Sequence, residues 1–98
     1  MTRPNIHPGE ILVEEFLNPA GVSADHLARE LEVPRERIEG IVTGCQPVCV
    51  ETALRLSDYF GTSDRFWLEM QLSYDLERGR QIHRVSTRRP HRHPQFSV

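Results

Sequence analysis

The chain has no lysine, no carboxylate beyond Glu77, no long apolar run and only two cysteines. Each shortage removes a class of protein. A membrane-spanning helix needs about 18 consecutive apolar residues, and nothing here approaches that. The opening MTRPNIHPGE lacks the apolar stretch of a secretory signal, so a soluble cytoplasmic protein is expected. Cys45 and Cys49, spaced as CQPVC, read as reduced thiols. Zinc would need two further ligands, and His83, His91 and His93 show no matching ligand-pair spacing, so neither metal nor cofactor is expected. No Ser/His/Asp set, metal motif or phosphate-binding loop occurs, and a lone His7 beside Glu10 reads as a helix-start residue. An enzyme is therefore not expected. Strand-like alternation of any length is also missing, which leaves an all-α chain.

What remains is a strongly asymmetric charge. Residues 1–77 hold all 14 carboxylates against six arginines, a balance of −8, while residues 78–98 hold the other six arginines, +6. A body this acidic repels the phosphate backbone that supplies most nucleic-acid affinity, and only the tail has the opposite preference. The all-arginine basic set follows more simply from GC-rich coding than from a demand for bidentate contacts.

Ninety-eight residues suffice for one domain with a single core. The spacing predicts five helices. The first spans about Pro8 to Asn18, with Pro8 suited to a first helical position, Glu10 in the first turn, and Leu12, Val13, Phe16 and Leu17 as the buried stripe. Asn18-Pro19-Ala20-Gly21 ends it. Ser23 caps a second helix running to about Leu31. A third starts after Val33-Pro34 and stops before Gly44. A fourth covers about Val50 to Phe60, closed by Gly61, and Ser63 caps a fifth from Asp64 to Arg78 or a little further.

Residues 24–44, ADHLARELEVPRERIEGIVTG, carry the apolar skeleton of a helix-turn-helix. Leu27, Ala28, Leu31, Val33, Ile38, Ile41 and Val42 form it; Ala28 permits a close helix crossing and Val33 plugs the turn. On the fifth helix, Phe66, Trp67, Met70 and Tyr74 fall on one side, and Leu68, Leu72 and Leu76 on nearly the opposite one. Two apolar stripes predict burial on both faces, one against the domain and one against a second copy of the chain. From Gly79 onward, GRQIHRVSTRRPHRHPQFSV has no helical periodicity and reads as a solvated basic tail, mobile at least beyond Arg88.

IHPGEILVEEFLNPAGVS at 6–23, LARELEVP at 27–34, RIEGIVTG at 37–44 and TALRLSDYFGTSDRFWLEMQLSYDLE at 52–77 resemble the HigA-type addiction-module antidotes. These are an antitoxin branch of the Cro/lambda-repressor-like (XRE) helix-turn-helix superfamily, and the resemblance covers residues 6–78. It implies a five-helix helix-turn-helix domain with its core at 24–44 and a dimerisation helix at 64–78, followed by the basic tail at 79–98. It also implies a homodimer that binds a palindromic operator at its own promoter, represses it, and neutralises a small RelE-like messenger-RNA-cleaving toxin. In such a fold the third helix enters the major groove and the N-terminus of the second aims amides at phosphate.

The scaffold matches that pattern better than the reading face does. Members usually carry Gln at Ala24 and Gly at Glu32, and a left-handed backbone at Glu32 would cost about 1 kcal/mol. On the third helix the usual INEIVNGKR stands here as IEGIVTGCQ, so Glu39 and Gly40 replace Asn and Glu, Thr43 replaces Asn, and Cys45 and Gln46 replace Lys and Arg. The candidate DNA contacts that remain are Arg29, Arg35, Glu36, Arg37, Glu39 and Thr43. Arg35 is the best base reader, through bidentate pairing with guanine, and Glu36 could accept from cytosine. The candidate dimer contacts are Leu68, Leu72 and Leu76. The alternative is a helix-turn-helix scaffold with weakened or lost DNA binding, whose acidic surface holds a basic protein partner.

Overall fold

A computed structural model describes residues 6–86, with side chains described over residues 6–83. Five helices form, and no strand occurs among the described residues. Helix α1 covers residues 8–20 as one continuous rod with three segments: an α-turn at Pro8–Ile11, a wider π-helical stretch at Leu12–Leu17 and a last turn at Asn18–Ala20. Pro19 lies in that last turn, and left-handed Gly21 (φ 68°) closes it with its N–H on Asn18 O, so α1 runs to Ala20 rather than stopping at Asn18. Then come α2 (Ala24–Leu31), α3 (Arg35–Val42), α4 (Val50–Phe60) and α5 (Asp64–Ser86).

The caps follow the local chemistry. Ser23 Oγ accepts from His26 N at 3.0 Å to start α2. Ser63 Oγ accepts from Phe66 N at 3.1 Å to start α5. At the head of α1, His7 is the N-cap: its Nδ1 accepts from Gly9 N at 2.9 Å. That ring is only 6% exposed, with the edge of Tyr74 from α5 packed on it at 4.8 Å between centroids.

Leu12, Leu27, Ile38, Ile41, Ala53, Leu56 and Trp67 are fully buried, and Leu17, Ala28, Leu31 and Val48 nearly so. The predicted helix-turn-helix skeleton is thus the core itself, with Val33 and Val42 half-buried against it. Phe16, Phe60 and Phe66 surround Trp67, at centroid distances of 5.2, 6.4 and 5.0 Å, and Trp67 Nε1 donates to Thr62 Oγ1 at 2.8 Å. One buried polar side chain ties the distant segments. Gln71 Oε1 accepts from Val48 N at 2.8 Å while Gln71 Nε2 donates to Asp75 Oδ1 at 2.9 Å, pinning the α3–α4 loop to α5.

Two features of α5 differ from the sequence reading. The helix does not end near Arg78 but continues through Gly79 to Ser86, so the first residues assigned to the tail are helical. Gly79, Arg80, Gln81, Ile82 and His83 are all exposed, so this extension lies off the core. The mobile tail expected beyond Arg88 lies outside the described residues. Leu68 is half-buried and packs against the chain's own core, so the second apolar stripe narrows to Leu72 and Leu76, which are 57% and 46% exposed.

Candidate nucleic-acid interface

The turn between α2 and α3 is short because Glu32 closes α2 in the left-handed conformation, φ 59° and ψ 44°. Its N–H reaches back to Arg29 O at 3.2 Å, Val33 N bonds Ala28 O at 3.0 Å, and Arg55 of α4 donates from Nη1 to Leu31 O at 2.7 Å. The last carbonyls of α2 are thereby satisfied without the glycine usual at such a position. Pro34 then precedes α3, whose Ile38 and Ile41 are buried and fix its rotation.

That rotation turns Arg35, Glu36, Glu39 and Thr43 to one outer side of α3, within roughly one quarter of the helix circumference. The arginines are not equivalent. Arg35 Nε donates to Glu39 Oε2 at 2.8 Å and lies 3.9 Å from Asp25 Oδ1 of α2. The Glu39 hydrogen bond, then the charges of Glu39 and Asp25, raise the Arg35 pKa further above its already high value. Asp25 also lies 3.7 Å from Arg29 Nη2, so Arg29, Asp25, Arg35 and Glu39 form one alternating chain of charge across α2 and α3.

Arg37 goes elsewhere. Its Nη1 pairs with Glu51 Oε1 of α4 at 3.0 Å, and Glu51 Oε2 meets Arg55 Nη2 at 3.4 Å. Arg37 therefore braces α3 on α4 instead of joining the outer face. Thr43 turns its hydroxyl to its own helix, toward the carbonyls of Glu39 at 2.9 Å and Gly40 at 3.2 Å. Of the six candidates, the structure gathers Arg29, Arg35 and Glu39 into one network, leaves Glu36 exposed beside it, and separates Arg37 from it.

Gly40 and Gln46 have a joint role. A β-carbon at Gly40 would come within 2.6 Å of the Gln46 side chain, which lies over α3 at that point. The Gly40 carbonyl in turn accepts from Cys45 N at 2.8 Å and Gln46 N at 3.0 Å. These positions are spent on closing the loop after α3. Cys45 and Cys49 are both exposed free thiols; Cys49 heads α4, where hydrogen bonds with Thr52 push its pKa down.

Sequence reasoning missed Asp25 and Glu51. Asp25 had a legible signal, its spacing of four residues from Arg29 on α2. Glu51 had none, since the partner it holds is fourteen residues away. It also missed Val50 and Leu54, 60% and 50% exposed on α4 at helical spacing, and Ile82, 59% exposed on the α5 extension.

No protein-family profile matches the chain. Among curated proteins it is 50% identical over 78 residues to virulence-associated protein I of Dichelobacter nodosus, covering 80% of this chain and 72% of that one. It is 31% identical over 74 residues to antitoxin HigA-1 of Vibrio cholerae, covering 76% of this chain and 70% of that one. Among solved structures, the Pseudomonas aeruginosa antitoxin HigA with the higBA promoter matches with a TM-score of 0.81 and 35% identity, over 96% of this chain and all of the other.

Proposed function

The chain belongs to the HigA antitoxin family of helix-turn-helix transcriptional regulators, and from that premise we propose that it binds operator DNA at its own promoter and represses a toxin–antitoxin operon. The observation that carries this reading is the exposed side of α3, where Arg35, Glu36, Glu39 and Thr43 face outward from a fold whose relative was solved with promoter DNA. Seated in a major groove, Arg35 is the residue able to pair with guanine, and Glu36 can accept from cytosine. Arg29 on the flanking helix, exposed beside Asp25, is the phosphate contact in this proposal.

The proposed active form is a homodimer, because a palindromic operator requires two copies of α3 related by a two-fold axis. Leu72 and Leu76 on α5 are the apolar pair available for it, with the outer part of Leu68 beside them. The proposed protein partner is a small basic RelE-like toxin, for which the −8 balance of residues 1–77 is complementary. Both activities belong in the cytoplasm, and among the described residues no helix is long and apolar enough to cross a membrane.

A second reading has its own support. Arg29, Arg35 and Arg37 are each within ion-pair distance of the chain's own carboxylates, which lowers the phosphate attraction of the α2–α3 face. Under that reading the domain is a scaffold that holds the toxin and has lost its operator. One titration separates the two: pure protein on its own upstream DNA, at low and at physiological salt, full-length and ending after Ser86. Saturable, sequence-selective binding that survives the truncation supports the regulator. Binding that is absent, or that needs residues 87–98 and vanishes with salt, supports the scaffold.

A further inference from the structure

Glu39 looks at first like a defect on a DNA-reading helix, a carboxylate facing phosphates. Its geometry assigns it a different task. Glu39 Oε2 takes the Nε hydrogen of Arg35 at 2.8 Å, one turn away on the same face of α3. Asp25 Oδ1, from the first turn of α2, approaches that same nitrogen at 3.9 Å. Both acids therefore engage the Nε corner of the guanidinium. Among the described residues neither Nη of Arg35 donates to a protein acceptor, so the terminal fork is left for something outside the chain.

An arginine can approach guanine side-on, with Nε and one Nη, or end-on, with both Nη groups toward O6 and N7. Occupying Nε removes the first option. Holding the long side chain by the Glu39 hydrogen bond, with the charge of Asp25 nearby, also reduces the rotamer freedom lost on binding. Arg37 offers a contrast within the same helix: its salt bridge is made by Nη1, the donor an end-on contact would need, and it points to α4.

We propose that Glu39, assisted by Asp25, is a positioning residue that presents Arg35 end-on to a guanine of the operator. This rests on the operator-binding reading above and deepens it. The carboxylates lower the attraction to DNA of any sequence, because they add negative charge beside the phosphates. They preserve the one contact that depends on sequence. The net effect is a higher ratio of specific to non-specific binding, which is the quantity a regulator needs in a genome of competing sites. The acidic substitution at Glu39 thereby becomes a trade of affinity for discrimination.

The test uses the full chain and a panel of single-base variants of its own upstream DNA, with wild type, Arg35→Ala, Glu39→Ala, Glu39→Gln and the double variant Arg35→Ala/Glu39→Ala. The Arg35 and Glu39 side chains are 62% and 46% exposed, so circular dichroism should be unchanged in all of them. Arg35→Ala is expected to erase a preference of about tenfold for guanine at one base pair of each half-site. Glu39→Ala is expected to lose most of that same preference, at the same base pair, while binding unrelated DNA more tightly than wild type. Glu39→Gln, which keeps an acceptor for Nε without the charge, should fall between, and the double variant should lose no more discrimination than Arg35→Ala alone. The proposal is overturned if Glu39→Ala tightens binding to every sequence by one common factor with the guanine preference intact; Glu39 is then only a repelling charge. Wild-type protein with no base preference anywhere overturns the operator-binding reading itself, a result distinct from the first.

Discussion

The backbone of Gly9, in the first turn of α1, rests directly on the carbonyl oxygen of Ile41 near the end of α3: a β-carbon at Gly9 would overlap that oxygen. The obstructing atom belongs to the backbone and cannot rotate away. His7, two residues earlier, caps α1 through Gly9 N, and the backbone of Gln46, in the loop after α3, lies beside its ring, so the start of α1 meets both α3 and the loop that follows it.

Gly9→Ala should therefore destabilise the fold by at least about 2 kcal/mol, since α1 must move off α3 to admit the methyl group. Urea unfolding followed by circular dichroism measures it. A variant as stable as wild type would show that α1 can shift without loss of packing.

Glu32 occupies a left-handed position, φ 59°, and its side chain is exposed. Replacing it with glycine relieves a clash between Cβ and the following carbonyl of about 1 kcal/mol, of which the more flexible unfolded chain takes back roughly half, so Glu32→Gly should gain about 0.5 kcal/mol. A shift of the urea midpoint to lower concentration would mean that the Glu32 side chain makes a contribution larger than the strain it carries.

Burial lowers the pKa of His7 below its ordinary value near 6.5, outweighing the hydrogen bond with Gln46 and the charges of Asp75 and Glu10, which raise it. Nδ1 is an acceptor from Gly9 N, so the folded chain wants the neutral ring. The unfolded chain takes up the proton first as pH falls. This contribution to stability is complete above about pH 7.5, declines as pH drops below the ordinary histidine value, and levels off once the lower folded pKa is passed. His7→Asn keeps a capping acceptor without a titrating group. Unfolding free energies at pH 7.5 and pH 5 should differ less for His7→Asn than for wild type; an equal difference would assign the acid sensitivity to other groups.

Leu72 and Leu76 face solvent on α5, so Leu72→Glu/Leu76→Glu should leave the chain folded while converting a dimer to a monomer. Sedimentation velocity together with circular dichroism reads both properties. A folded double variant that still sediments as a dimer places the interface elsewhere, and exposed Val50 and Leu54 on α4 are the next pair to change.

The sequence alone determined the helices and the core. Apolar spacing marked the buried faces of α2, α3 and α4, Ser23 and Ser63 announced helix starts, and Gly61 announced a stop, because these signals act within a few residues along the chain. The end of α5 carried no such signal: Gly79 and the arginine-rich residues around it lack apolar periodicity, yet the helix passes through them on its exposed length. On the outer side of α3, sequence named the candidate residues and not their partners. Arg35, Arg37 and Glu39 are close neighbours in the chain with the same apparent claim on DNA. Only the packing of α3 between α2 and α4 sends Arg37 to Glu51, joins Arg35 to Glu39 and Asp25, and lays Gln46 over Gly40. Charges at the surface choose partners by distance in space, and those distances are set by burial of Ile38 and Ile41 far beneath them. Local chemistry wrote the elements; the direction in which each arginine points was decided by the core.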